Sequence, residues 1–393
     1  MSRVFVAGVG MTPFSTPSRG VTYAEAGPLA IAEALADADL AFDDVQQAYA
    51  GFVYGDSTAG QRVIYEAGMT GVPIVNVNNN CSSGSSALFL ARQAVASGAV
   101  DCALAVGFEQ MRPGAIGTIF NERPSPYDHF LAATEEIQGY DPSGVMAAQL
   151  FGGGGAEHMA RYGTKPETFA KLSVKARTHA EHNERAVFRS PLTVEEVMAS
   201  PAVFGPLTRL QCCPPTSGAA AALVVSEAFA RRRGLRTEVE ILAQAMTTDR
   251  PSTFRSGSMM SLIGADMTAE AARQVYDQAA IGPGDVDVVE LHDCFTANEL
   301  VTYEGLGLCA PGGAERFIED GDNTYGGAVV TNPSGGLLAK GHPLGATGLA
   351  QCAELSWQLR GAAGVRQVEG ARLALQHNLG LGGACVVTLY GRA

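Results

Sequence analysis

The chain opens on an apolar run at residues 4–9, then an alanine-rich stretch whose apolar positions recur with helical spacing over 24–36. Short apolar runs follow at 48–53 and 74–80, a long helical pattern at 85–97, and a run of small and apolar residues at 102–107. Short apolar runs bounded by turn residues predict buried strands, and the longer 3.6-residue period predicts helices. The order then returns. A strand is predicted at 239–246, an amphipathic helix at 269–280, a strand at 286–291, a helix at 349–360 entered through a glycine-rich stretch at 332–348, and closing strands at 372–376 and 385–390. This repeated order, with a turn of reactive side chains before a long helix in each half, predicts a duplicated α/β chain. Strands alternating with helices predict largely parallel sheets covered by helices.

The pattern breaks between 111 and 213. Pro124, Pro126, Pro142, the run Gly152 to Gly155 and helical patterns at 156–162 and 166–181 occupy that stretch, before a small-residue strand at 218–225 resumes the first half. A segment this long between two strands of one sheet is a subdomain, and such insertions often cap a site. The expected organisation is residues 1–110 with 214–237 as one half, 111–213 as an inserted loop domain, and 238–393 as the other half.

Composition narrows the function. Apolar residues make up 46% of the 393, enough for a sizeable core. Charged residues are 17%, below the usual value of about 25%, which favours a large compact body or an oligomer. With 27 basic against 40 acidic residues the net charge is −13, and the basic footprint of a nucleic-acid or anionic-membrane binder is missing. The eight cysteines form no Cys-x-x-Cys pair, so a zinc ribbon or redox motif has no support, and their dispersion suits reduced thiols. The N-terminus lacks a secretory pattern, no long uncharged apolar stretch would span a membrane, and Gly391-Arg392-Ala393 is not a peroxisomal address. The expectation is a cytoplasmic enzyme.

Three places carry candidate chemistry. Cys81 follows a predicted strand and opens a predicted helix, where unpaired N–H groups and the macrodipole favour a thiolate and can bind an oxyanion. A structural cysteine beside an ordinary N-cap would read the same way. His342 lies in Gly341-His342-Pro343-Leu344-Gly345-Ala346-Thr347-Gly348, where glycines and a proline hold the backbone around one ring able to accept and return a thiol proton; a histidine in a structural turn is the alternative. His292, Asp293 and Cys294 sit together at a strand end, the usual place for a ligand in an α/β sheet. As metal ligands they would need a fourth partner, so catalysis or structure is the better reading. His179 and His182 are expected on a solvated helix face. Arg231 to Arg233 read as helix-end cations, and Cys212 and Cys213 as packing residues. The run Gly152 to Gly155 has no strand before it and no Lys-Ser/Thr pair after it, so it is not a P-loop.

At these motifs the chain resembles the thiolase superfamily, most closely the sterol-carrier-protein-type thiolases. The resemblance rests on Asn78-Asn79-Asn80-Cys81-Ser82-Ser83-Gly84, His292-Asp293-Cys294-Phe295, Gly341 to Gly348, and His377-Asn378-Leu379-Gly380-Leu381-Gly382-Gly383. Asp322-Asn323-Thr324-Tyr325-Gly326-Gly327 adds to it. It covers essentially the whole chain and implies a five-layer αβαβα fold of two duplicated halves with an inserted loop domain, commonly dimeric. It also implies thiolytic cleavage of 3-oxoacyl-CoA in fatty acid or sterol side-chain degradation. In that reading Cys81 is the acylated nucleophile, His342 its activator, and Cys294 the second acid/base. His292 binds the thioester oxygen, and the backbone N–H groups of Cys81 and Gly380 form an oxyanion hole. Coenzyme A is a co-substrate, with no metal and no permanently bound cofactor, and the partner expected is a second copy of the chain. One departure stands out: where common thiolases carry Cys-x-Gly, this chain reads Asn378-Leu379-Gly380. The rival readings are a decarboxylating ketoacyl synthase, which also fits a Cys-His-His set, and a non-catalytic lipid-binding scaffold.

Overall fold

The computed structural model describes residues 2–113, 117 and 119–393. Met1 and four positions of the expected insert, 114–116 and 118, lie outside the described residues. Five strands form the first half: β1 (Val4–Met11), β2 (Gln47–Gly51), β3 (Ile74–Val77), β4 (Cys102–Glu109) and β5 (Gly218–Ser226). Five form the second: β6 (Val239–Thr247), β7 (Val288–Glu290), β8 (Val330–Thr331), β9 (Leu373–Gly380) and β10 (Ala384–Arg392). The first set runs β1-β5-β4-β2-β3 and the second β6-β10-β9-β7-β8, the same permutation of chain order. Strand directions match too. The first two pairings in each half are antiparallel and the last two parallel. The duplication read from element order is therefore present in the topology.

The sheets are mixed rather than largely parallel. In the second half the cause is local: β9 returns as β10 through only residues 381–383, and a hairpin that short makes its strands antiparallel. A single register pair, Phe5 with Glu240, joins the two sheets edge to edge.

Side-chain alternation along the strands builds the layers. Phe5 and Ala7 of β1 pack with Ala30, Ile31 and Ala34 of α1 (Tyr23–Ala38) on the outside of the first sheet. Val4 and Val6 face the other way. They join Leu88 and Ala91 of α2 (Ser83–Ala96), Leu349 and Ala353 of a central helix (Thr347–Arg360), and Ile241, Ala374 and Tyr390 of the second sheet. Ala243, Leu375 and Leu389 cover the second sheet's far side, with helices 265–279 and 296–305. The order is helix, sheet, helix, sheet, helix, as the αβαβα expectation required.

The chain between β4 and β5 adds α3 (Met146–Tyr162) and α4 (Pro166–Ala180), which share the second half's outer core through Leu150, Phe151, Phe169 and Leu172. α3 starts ten residues before the predicted 156 and runs through all four glycines. Glycine costs a helix about 1 kcal/mol relative to alanine. Here close contact requires it: a Cβ on Gly152 would lie 2.7 Å from the Phe204 carbonyl oxygen, and one on Gly154 would lie 2.4 Å from Ile263. The later helices are α5 (Ala265–Ala279), α6 (Thr296–Gly305) and α7 (Thr347–Arg360). Among the described residues no helix is long and apolar enough to cross a membrane.

Candidate active site

Cys81 is presented by a strained turn. β3 stops at Val77, three residues short of the predicted end, and Asn80 adopts a left-handed backbone at φ +50°. Outside glycine that conformation needs support. The Asn80 amide donates to the Tyr127 hydroxyl at 2.8 Å and to the Leu381 carbonyl at 2.9 Å. Ser83 closes the turn, its hydroxyl donating to the Asn80 carbonyl at 2.6 Å and accepting from the Asn79 N–H at 2.9 Å. Cys81 then falls just before Ser82, the N-cap of α2, with its thiol 3.6 Å from the Asn80 side-chain oxygen.

The loop carrying His342 nests against this turn. A Cβ on Gly345 would lie 2.6 Å from the Gly51 carbonyl oxygen, and one on Gly348 would lie 2.4 Å from the Ser85 backbone nitrogen. Only glycine lets α7 and α2 approach so closely. The Thr347 hydroxyl donates to the Pro343 carbonyl at 3.0 Å and lies 2.7 Å from His342 Nδ1. Its proton is committed to the carbonyl, so its oxygen accepts from Nδ1–H. His342 Nε2 is left with a lone pair, and that atom is buried with no hydrogen-bond partner among the described residues.

His292, Asp293 and Cys294 follow β7 but divide their tasks. His292 and Cys294 line the same narrow cavity as Cys81 and His342, about 90 Å³ in volume. Asp293 instead accepts N–H bonds from Leu337 at 2.7 Å and Leu338 at 3.3 Å. Its carboxylate ties the strand end to the segment leading into the His342 loop. The His292 and His342 rings stand edge to face with centroids 4.9 Å apart. The Cys81 sulfur and a nitrogen from each ring all lie within 4.8 Å of one another.

Charge in this site is governed by burial. It pushes the Cys81 thiol up to about 12, against N–H donation from Leu381 and from Cys81 itself, while the Glu109 carboxylate pushes the same way as burial. Burial also takes His342 down to about 3 and holds His292 well below its ordinary value, helped there by His342 and His377. The sequence expectation of a thiolate at the helix end is therefore corrected. Desolvation outweighs the dipole, and the resting site is a thiol facing two neutral imidazoles. Alkylation of Cys81 by iodoacetamide should accordingly rise about tenfold per pH unit from pH 7 to 10. A plateau below pH 9, followed by peptide mapping, would show a thiol of ordinary or lowered pKa instead.

Other expectations shift. Cys213, taken as a packing residue, lines the cavity beside Cys294, its N–H donating to the Cys294 carbonyl at 2.9 Å. Local sequence holds no sign of this, because the pairing of Cys212 with Phe295 that places it is long-range. His179 is buried rather than solvated, lying 2.7 Å from the Thr324 hydroxyl and 3.0 Å from the Asn332 carbonyl, and burial lowers it to about 4. His182 is exposed as expected. Arg231, Arg232 and Arg233 each pair with a carboxylate, of Glu227, Asp101 and Asp44. Gly380 packs beneath the nucleophile turn, where a Cβ would meet the Asn79 carbonyl oxygen at 2.1 Å. Within this segment it is the backbone of the next residue, Leu381, that opposes burial in setting the Cys81 thiol.

Comparison with known proteins agrees with this geometry. Residues 4–228 match the family described as "Thiolase, N-terminal domain", and residues 251–390 match "Thiolase C-terminal domain-like". Sterol carrier protein 2 of Rattus norvegicus is 54% identical over 395 residues, covering 99% of this chain and 72% of that protein. Acetyl-CoA acetyltransferase of Methanothermobacter thermautotrophicus is 37% identical over 397 residues, covering 100% of both. Among solved structures, the Ltp2-ChsH2(DUF35) aldolase has a TM-score of 0.84 at 26% identity, covering 99% of this chain and 98% of that one. With both halves matched and a relative aligned from end to end, the chain belongs to the thiolase family.

Proposed function

We propose that the chain cleaves 3-oxoacyl-CoA with coenzyme A through an acyl-enzyme on Cys81. The observation that carries this is the unpartnered, buried lone pair of His342 Nε2 in one cavity with the Cys81 thiol. A nucleophile that rests as a thiol needs a base at the moment of attack, and a neutral imidazole is that base. The sulfur attacks the 3-keto carbon as His342 takes its proton. The bond between C2 and C3 breaks, and its electrons pass into the thioester as an enolate. His292 donates to that oxygen and Cys294 protonates C2, releasing acetyl-CoA (or its 2-substituted analogue) while the shortened acyl group stays on Cys81. The Cys294 thiolate then takes the proton of an incoming CoA thiol, whose sulfur attacks the acyl group on Cys81. Collapse of the tetrahedral adduct expels the Cys81 sulfur, which recovers its proton from His342. The backbone N–H groups of Cys81 and Gly380 are the donors proposed for the acyl oxygen. No permanently bound cofactor enters this scheme.

His342→Ala should slow acylation by roughly 10²–10⁴-fold while acyl-CoA affinity changes little, since the ring moves a proton and does not anchor the ligand. Single-turnover kinetics beside a binding titration separates the two. Lost affinity with unchanged acylation would refute the role.

Residues 111–213 act in this reading as the cap over the site, and the acyl portion meets an apolar wall of Met111, Phe151, Phe295 and Leu344. The preferred substrates are bulky ones, 2-methyl-branched or sterol side-chain acyl-CoA, and competition between straight and branched esters tests that. The assembly is a homodimer or higher homo-oligomer. β3 is an edge strand just before the nucleophile turn, and Tyr65, Met69 and Val75 stand exposed near it. Unpaired edges with apolar side chains are where chains join. Light scattering should give at least twice the 40.8 kDa chain mass, and Val75→Lys should lower it; a monomeric native protein would remove this part.

Intact mass after mixing with 3-oxoacyl-CoA, without free CoA, tests the whole reading. An acyl adduct on Cys81 with release of acetyl-CoA supports it. No adduct favours a scaffold, and malonyl-CoA decarboxylation favours a synthase. Cleavage of a 3-hydroxyacyl-CoA without an adduct favours an aldolase.

A further inference from the structure

Two neutral imidazoles share this site, and hydrogen bonding determines which end of each carries its proton. At His342 the Thr347 hydroxyl settles the matter, as described above. At His292 the answer comes from a longer chain of bonds that starts on a backbone atom. The alternation of β9 points Gln376 and Asn378 to one side, toward α2. The Gln376 side-chain nitrogen donates to the Gly348 carbonyl at 2.6 Å, and a carbonyl oxygen only accepts. The same nitrogen reaches the Ser85 hydroxyl at 2.9 Å. Having accepted there, Ser85 donates its one proton to the Asn378 side-chain oxygen at 2.8 Å. The Asn378 amide nitrogen is thereby turned toward His292 Nδ1 at 3.0 Å. Ser85, Gln376, Asn378 and His292 are all buried, away from bulk solvent.

We propose that Asn378 is a positioning residue that holds His292 as its Nε2–H tautomer. An amide N–H only donates, so Nδ1 must accept, and the ring's single proton lies on Nε2. The two rings then meet substrate with opposite polarity. His342 offers a lone pair to a thiol proton, and His292 offers an N–H to an oxygen gaining negative charge. The inference rests on the acyl-transfer reading above for its function, but the tautomer itself is a property of the protein without substrate. It also gives a task to Asn378, which stands where common thiolases carry a second cysteine. The residue there prepares the oxyanion donor rather than moving a proton.

Asn378→Asp reverses the last bond. A carboxylate only accepts, so Nδ1 must carry the proton and Nε2 presents a lone pair to the developing oxyanion. Losing one such donor costs about 10²–10³-fold in kcat, and that is the loss expected at pH 8. The carboxylate also favours the imidazolium. As pH falls toward 6 the ring gains a second proton, Nε2–H returns, and activity should recover toward wild type. Wild type, with His292 neutral throughout, should show no such limb. A merely structural loss would be flat in pH. Independently, proton–nitrogen correlation spectra of the native protein with ¹⁵N-labelled histidine report which nitrogen of His292 is protonated, with His292→Gln as the assignment control. A proton on Nε2 supports the proposal, and a proton on Nδ1 overturns it whether or not Asn378→Asp folds. A wild-type pH profile in folded Asn378→Asp also overturns it. Failure of acyl transfer itself would show as absence of the Cys81 adduct, whereas the nitrogen spectra report the tautomer with no substrate present.

Discussion

Cys81→Ala should fold normally, form no acyl-enzyme, and turn over 3-oxoacyl-CoA on the order of 10⁴-fold or more slowly than the native protein. The size follows from covalent catalysis: removing the nucleophile leaves binding and oxyanion donors but no atom to carry the acyl group. Folding should survive because the thiol does not build its own turn. The Asn80 amide and the hydroxyls of Ser82 and Ser83 do that. Cys81→Ser is the more demanding version. It keeps the shape and replaces a thiol with a hydroxyl that ionises far less readily, in a cavity where burial already raises the cost of charge. The measurement is rate by release of acetyl-CoA, intact mass for the adduct, and circular dichroism for the fold. An adduct persisting in Cys81→Ala, or turnover within tenfold of native, would sink the assignment.

Cys294→Ala should lower turnover by roughly 10²–10⁴-fold, the range for losing a general acid and base, while Cys385→Val should leave activity near native. Sequence position alone offers either cysteine as the second thiol. Their surroundings separate them. Cys294 lines the cavity with Cys81, and burial holds its pKa well above the ordinary value, so it enters the reaction protonated and able to donate. Cys385 lies in β10, fully buried in the outer core beside Val387 and Leu389, 3.8 Å from the Thr268 hydroxyl. Replacing it with valine is a near-isosteric core change costing about 1 kcal/mol or less. Cys213→Ser belongs in the same experiment because Cys213 shares the cavity. If Cys213→Ser or Cys385→Val is the inactive variant and Cys294→Ala is near native, the proton path proposed here is wrong.

Local residue order carried the architecture. Apolar runs and helical spacing located most strands and long helices of both halves to within a few residues, because burial of one helix stripe or strand face leaves its period in the sequence, but they left out β8 and α6 of the second half. Boundaries failed where packing overrode pattern. α3 runs through Gly152 to Gly155 because Phe204 and Ile263 leave no room for side chains there. Strand direction failed too: in the second half the hairpin from β9 reverses β10 against both of its neighbours. His179, polar by sequence, went inside because the Thr324 hydroxyl and the Asn332 carbonyl satisfy it there.

Short-range pattern was enough to pick out the side chains that could act: a cysteine at a strand–helix turn, a histidine framed by glycines, and a His-Asp-Cys strand end. The state and task of each came from long-range packing. It separated Asp293, which ties backbone, from its neighbours His292 and Cys294, and it brought Cys213 into the cavity through pairing with a strand end far along the chain. It made Cys81 a resting thiol, and it gave the two histidines opposite polarity through Thr347 and Asn378. The reason is physical. Protonation state and tautomer depend on desolvation and on hydrogen-bond partners, and both come from segments distant in sequence, which no local pattern records.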